Sequence, residues 1–141
     1  MTFHYIEFKT YCHATEELDK VKEAMFNAIG KEIDLKISEA EGYYGNPILI
    51  LKGKIERNRD MDNFFENLDF YIIDDYLKTI QKRIDERCNF YFRLDKQKAY
   101  KDKIELSDRG DTIRVRARIE SYPAKREKAI NNIQEYLSGF K

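Results

Sequence analysis

Hydrophobic and polar positions alternate along five stretches of the chain. Because strand side chains alternate between the two faces of a sheet, this pattern predicts strands at about residues 3–12, 33–38, 48–55, 90–95 and 112–120. Each predicted strand presents one face to a core. A further short strand is predicted around residues 104–106, before a turn cluster at 107–111.

Apolar residues recur at three- and four-residue spacings in three other segments, which predicts helices. The first begins at an N-cap on Thr15 and ends at Ile29, with Gly30 placed to adopt a left-handed conformation after it. The second covers residues 60–87 as one long helix. The last covers residues 125–138, after Pro123.

This order of elements predicts an α+β fold with a mainly antiparallel sheet and helices on one face. Residues 1–141 are expected to form a single domain with the long helix packed across the sheet beside the first helix. A ferredoxin-like fold is the alternative, because the first six elements share its βαββαβ order. The RNA-stacking aromatics of that fold would lie on the third strand, which here is aliphatic at residues 48–51.

Basic and aromatic side chains collect on the later strands. Alternation places Tyr91 and Arg93 on one face of their strand, and Lys96, Gln97 and Lys98 follow in a charged turn. The strand at 112–120 projects three arginines, Arg114, Arg116 and Arg118, from one face. Guanidinium groups bind phosphate and aromatic rings stack on bases, so these residues form a candidate RNA-binding platform. The alternative is a solvated face whose arginines pair with carboxylates.

The connection at residues 42–47 contains two glycines, an asparagine and a proline. This composition predicts a turn with positive φ, which we assign to Gly45. Backbone amides in such a turn can approach a ligand closely. Tyr43, Gly45 and Asn46 are therefore further candidates for RNA contact.

The overall charge is balanced, but its distribution is not. Lys plus Arg and Asp plus Glu both number 26. Residues 1–86 hold 12 basic and 18 acidic side chains, whereas residues 87–141 hold 14 and 8. A basic C-terminal half is typical of nucleic-acid binding.

Catalytic and metal-binding signatures are missing from the sequence. It contains neither a phosphate-binding loop nor a nucleophile elbow, and we predict no enzymatic activity, cofactor or metal site. His13 is the one candidate base for an RNA-processing enzyme. Cys12 and Cys88 are expected to stay reduced. No apolar run is long enough to cross a bilayer, so a soluble, unprocessed, cytoplasmic protein is expected.

Four segments in the same order resemble an archaeal RNA-binding protein family. They are residues 13–17 with Lys20 and Val21, residues 41–48, residues 93–97, and Asp111 with residues 113–115. Two positions depart from the family pattern, which has Asp where this chain has Glu17 and His where it has Tyr43. The family is described as predicted exosome subunits with a fold like ribosomal protein L5. The resemblance therefore implies an L5-like fold, RNA as partner and a complex such as the exosome.

Three functions compete at this level. A non-enzymatic RNA-binding protein is favoured, with the basic residues on phosphates. A protein-interaction or assembly subunit is second, and a small RNA-processing enzyme is third.

Overall fold

The computed structural model describes residues 2–42, 45–107 and 109–140. Within these residues the chain forms five strands and six helices. The strands are β1 (Phe3–Cys12), β2 (Lys36–Glu41), β3 (Pro47–Ile55), β4 (Asn89–Asp95) and β5 (Thr112–Ile119). The helices are α1 (Leu18–Ile29), α2 (Asn58–Glu66), α3 (Phe70–Lys78), α4 (Ile80–Arg83), α5 (Lys96–Tyr100) and α6 (Arg126–Ser138).

The strands form one antiparallel sheet in the order β2-β3-β1-β5-β4, which confirms the predicted α+β class. β2 and β3 form the predicted hairpin, with Glu41 opposite Pro47. In a ferredoxin-like sheet β4 would lie directly beside β1. Here β5 lies between them, so the ferredoxin-like alternative does not describe this sheet.

The predicted long helix at residues 60–87 is wrong as a single element, because it is divided into α2, α3 and α4. The chain is extended at Asp69, where ψ is 151°, and it leaves helical geometry again at Thr79. The Thr79 hydroxyl donates to the Asp75 carbonyl at 2.8 Å and accepts from Arg83 Nε at 2.7 Å. The apolar spacing is nevertheless correct, since Met61, Phe64, Phe65, Leu68, Ile72, Tyr76, Ile80 and Ile84 are all buried.

Several element boundaries differ from the predictions. α1 begins at Leu18 with Glu17 as N-cap, not with Thr15, whereas Gly30 ends it at φ 95° as predicted. β2 begins at Lys36, so residues 33–35 precede it. The predicted strand at 104–106 contributes only an isolated bridge between Leu94 and Leu106. The charged turn after β4 is a helix, α5.

The chain divides into two compact units made of interleaved segments. The first unit contains residues 1–6, 55–92 and 115–141, and the second contains residues 7–54 and 93–114. In the first unit aromatic rings dominate the core. The ring centroids of the stacked Phe3 and Phe65 are 5.2 Å apart, and those of Tyr76 and Phe92 are 4.5 Å apart. In the second unit the buried side chains are mainly aliphatic, and they include Met25 and Leu51.

Both cysteines are buried and unpaired. Among the described residues, no helix has both the length and the apolar character needed to cross a bilayer.

Candidate nucleic-acid interface

Two arginines of the second unit lie opposite each other on neighbouring strands. The Lys96 backbone N–H donates to the Asp111 carbonyl at 3.1 Å, which fixes the antiparallel register where β4 ends and β5 begins. Counting back three residues from Lys96 and forward three residues from Asp111 places Arg93 opposite Arg114. Both side chains are exposed, and the flanking Leu94 and Ile113 are fully buried.

Like charges directly opposite each other destabilise a sheet. Neither Arg93 nor Arg114 has a side-chain hydrogen bond or ion pair within residues 2–42, 45–107 and 109–140. The alternative of carboxylate pairing therefore does not apply to these two side chains in the described part of the chain. The pair leaves two guanidinium groups available to an external anion.

A second pair of like charges lies on the β2–β3 hairpin of the same unit. Lys36 is opposite Lys52, and both lysines are exposed. On β1, Lys9 alternates with the buried Phe8 and Thr10. Strand alternation thus places Lys9, Lys36, Lys52, Arg93 and Arg114 on the face opposite the buried side chains. We call these five residues the basic face.

Lys96, predicted to contact phosphate, is instead enclosed by protein acceptors. Its side chain is 2% exposed, and Nζ lies 2.7 Å from the Tyr11 carbonyl oxygen and 2.9 Å from both Glu16 Oε1 and Asp111 Oδ1. Contact with phosphate would require these ion pairs to open. The position of Lys96 is therefore structural in this conformation.

The start of α5 explains how the neighbouring residues are arranged. Asp95 caps the helix by accepting the Lys98 N–H at 2.9 Å. Gln97 is exposed and donates from Nε2 to Asp111 Oδ2 at 3.0 Å. Lys98 pairs with Glu105 at 3.3 Å, and both side chains are half exposed, so this pair is easily exchanged for another anion.

His13, Glu16 and Asp111 bring three potential metal ligands within 4.8 Å of one another. The Lys96 ammonium already supplies the cation between the two carboxylates, at 2.9 Å from each. His13 also binds Glu16 Oε1 through its backbone N–H, at 3.1 Å. The geometry of this cluster is that of an ion-pair network.

The remaining predicted residues are distributed as follows. Tyr91 is exposed and Arg116 and Arg118 are partly buried, all in the first unit. The Arg116 guanidinium lies 5.9 Å from the Tyr5 ring centroid. Gly45 and Asn46 are exposed, and Gly45 has the predicted positive φ, at 77°. Tyr43 lies outside the described residues.

Sequence reasoning missed Glu16, Asp111, Lys9, Lys36 and Lys52. The first two were visible as parts of the motifs that carry the family resemblance. Three of those four motifs meet at the Lys96 cluster, through Glu16, Lys96 with Gln97, and Asp111. The three lysines gave no motif signal, because only the strand register shows that they share a face.

Comparison with known proteins supports the family predicted from the motifs. A family model described as RNA binding matches residues 5–119. RNA-binding protein PAB1135 of Pyrococcus abyssi is 35% identical over 145 residues, which cover 96% of this chain and 94% of that protein. The protein MJ0213 of Methanocaldococcus jannaschii is 32% identical over 146 residues, covering 96% and 97%.

A solved structure has the same fold along almost the whole chain. Mth689, a DUF54 protein from Methanothermobacter thermautotrophicus, is similar with a TM-score of 0.84 at 36% identity, covering 97% of this chain and 99% of that chain. The predicted family is therefore confirmed, and the chain belongs to this RNA-binding family.

Proposed function

We propose that this chain is a non-enzymatic RNA-binding protein that contacts backbone phosphates through its basic face. The observation that carries the proposal is the Arg93–Arg114 pair, two exposed like charges in opposite positions without a partner in the described part of the chain. Such a pair costs stability in the free protein, and a phosphate backbone relieves the repulsion. Membership of an RNA-binding family supports the same ligand.

Other predicted contacts extend this proposal. Lys98 and Gln97 lie on α5, immediately after Arg93 and β4. Gly45 and Asn46 are exposed in the 42–47 turn, where the Gly45 N–H donates to the Gly42 carbonyl at 2.9 Å, and both stay predicted RNA contacts. Tyr91, Arg116 and Arg118 belong to the first unit, and each stays a predicted RNA contact to be tested by its own substitution.

Replacing both arginines with alanine tests the proposal. The Arg93→Ala/Arg114→Ala variant should bind unrelated single-stranded RNAs about 10-fold more weakly at roughly 0.15 M salt, because two phosphate contacts are lost. The matched control is Arg57→Ala/Arg59→Ala, which removes two exposed arginines of the first unit. Fluorescence anisotropy measures both affinities. Equal RNA affinity of wild type and the Arg93/Arg114 variant would refute the proposal and favour a protein-interaction subunit.

We also propose an RNA-processing complex such as the exosome as the setting of this activity. The family resemblance supports this proposal. Tagged protein should co-purify with exosome subunits from its own cells, and intact RNA should be recovered after incubation with the isolated protein. Loss of co-purification after nuclease treatment would mean that RNA alone connects this protein to the exosome. RNA cleavage that depends on His13 would favour the hypothesis of an RNA-processing enzyme.

A further inference from the structure

A groove of about 310 Å³ lies between the start of α1 and α5, within the second unit. Its polar lining includes Glu16, Glu17, Lys20, Lys96, Gln97 and Tyr100. Asn27 on α1 donates from Nδ2 to the Ala99 carbonyl at 2.9 Å, which holds the two helices together. The volume falls at the low end of the roughly 300–1,000 Å³ typical of sites for small ligands.

The charges that line this groove cancel. Glu16 and Glu17 contribute two carboxylates, and Lys20 and Lys96 contribute two ammonium groups. Lys96 is enclosed by Glu16, Asp111 and the Tyr11 carbonyl, so the accessible charges are the Glu17 carboxylate and the Lys20 ammonium, whose side chains are 74% and 57% exposed. These two opposite charges give an isolated phosphate no net attraction. A neutral planar group that carries N–H donors is the better match.

Tyr100 provides an aromatic surface with a cation over one face of its ring. The residue is 36% exposed, and Lys20 Nζ lies over the ring, 5.9 Å from its centroid. Proteins that bind single-stranded nucleic acid use this combination, in which a base stacks on the ring and a nearby cation contacts the phosphate.

Glu17 and Gln97 supply hydrogen-bond acceptors to the groove that Tyr100 also lines. The Gln97 amide is oriented because its nitrogen is bound to Asp111 at 3.0 Å, and its carbonyl oxygen remains an acceptor. Glu17 is 74% exposed and lies at the start of α1, with Oε2 3.8 Å from Lys20 Nζ. A carboxylate pairs bidentately with two adjacent N–H donors. Of the four RNA bases, guanine alone presents two such donors, N1–H and N2–H, on its Watson–Crick edge.

We infer that this groove binds an unpaired guanine base of RNA, stacked on Tyr100 and hydrogen-bonded through N1–H and N2–H to Glu17. The inference rests on the proposed RNA-binding function and adds a base preference to it. Phosphate contacts on the basic face carry no sequence information, so the groove is the source of that preference.

Eight-residue uridine oligonucleotides with one central guanine, adenine, cytosine or inosine provide the test, with anisotropy as the readout. The guanine oligonucleotide should bind about 10-fold more tightly than the adenine or cytosine ones, the order of one good bidentate contact. Inosine lacks the N2 amino group and should fall between them. Glu17→Gln should abolish the guanine preference without weakening the binding of the adenine oligonucleotide.

Matched variants separate recognition of the base edge by Glu17 from stacking of the base on Tyr100. Glu23→Gln removes another exposed carboxylate of α1 outside the groove and should preserve the preference. Tyr100→Ala should weaken binding of all four oligonucleotides, whereas Tyr100→Phe keeps the aromatic ring and should bind them as tightly as the wild type. Salt-dependent binding with no guanine preference, or a preference that survives Glu17→Gln, overturns the inference and leaves the proposed function standing. Absence of binding by all four oligonucleotides overturns both.

Discussion

Lys96 was predicted to be a surface cation, but its side chain is buried and forms ion pairs inside the protein. Its ammonium accepts no hydrogen bond and therefore needs acceptors when buried, which Glu16, Asp111 and the Tyr11 carbonyl provide. Removing it would leave the Glu16 and Asp111 carboxylates and the Tyr11 carbonyl facing one another without the cation that lies between them.

We therefore expect Lys96→Met to lower the free energy of unfolding by about 2–3 kcal/mol. This is less than the loss of roughly 3–5 kcal/mol for a fully buried pair, because Glu16 and Asp111 are 22% and 31% exposed and can be hydrated. Urea denaturation measures the loss, with Lys98→Met as the exposed control. Stability equal to that of the control would show that the cluster is not structural.

Gly45 matters through its backbone conformation, which is left-handed. Its φ is 77°, and an added Cβ would meet no atom within 4 Å among the described residues outside its chain neighbours, so we expect Gly45→Ala to act through backbone strain. We expect a loss of about 1 kcal/mol in the free energy of unfolding. Thermal unfolding provides the measurement. An unchanged melting temperature would contradict the assigned strain.

Among the elements, the turn that begins β4 depends on one carboxylate. Asp85 accepts the backbone N–H groups of Arg87 and Asn89, each at 2.9 Å, and the Asn89 side-chain amide at 3.2 Å. Burial raises the pKa of Asp85, but hydrogen bonds from Asn89, Arg87 and the Tyr91 side chain outweigh burial and lower this pKa below its usual value of 3.8. The ionised form therefore stabilises the start of the strand.

Asp85→Asn should reduce the free energy of unfolding by about 1–2 kcal/mol at pH 7, because the amide nitrogen replaces one acceptor. A lowered folded-state pKa contributes stability that is present above the unfolded value and lost as pH falls through the folded value. The difference from wild type should thus shrink when urea denaturation is repeated near pH 3. Glu86→Gln, at an exposed neighbouring position, is the control. A difference that is the same at both pH values would assign the effect to packing.

At the scale of the whole molecule, the net charge of zero means that RNA attraction depends on where the charges lie. Five phosphate contacts on the basic face should give a log–log salt slope of about −3.5 for single-stranded RNA, at about −0.7 for each contact. The Arg93→Ala/Arg114→Ala variant should have a slope of about −2. Titrations of RNA at several salt concentrations provide the measurement, and a slope near zero for wild type would exclude the basic face as a phosphate-binding surface.

The sequence by itself determined the properties that depend on local periodicity. Alternation located β1 and β5. The glycines predicted left-handed backbone at the end of α1, at Gly30, and in the 42–47 turn, at Gly45. The spacing of Met61, Phe64 and Phe65 identified buried helix positions. These features follow from the geometry of one chain segment. Four motifs also identified the family. The L5-like description of the fold stays a prediction.

Only the tertiary structure decided which distant residues meet. The breaks at Asp69 and Thr79 are invisible to apolar spacing, since the buried positions keep nearly the same period on either side of each break. Lys96 and Arg93 look alike in the sequence, yet one is buried in an ion-pair cluster and the other is exposed. Strand register and the approach of residues 11–16 to α5 produce that difference. Burial and pairing of a charge are set by contacts distant in sequence, which no local pattern encodes.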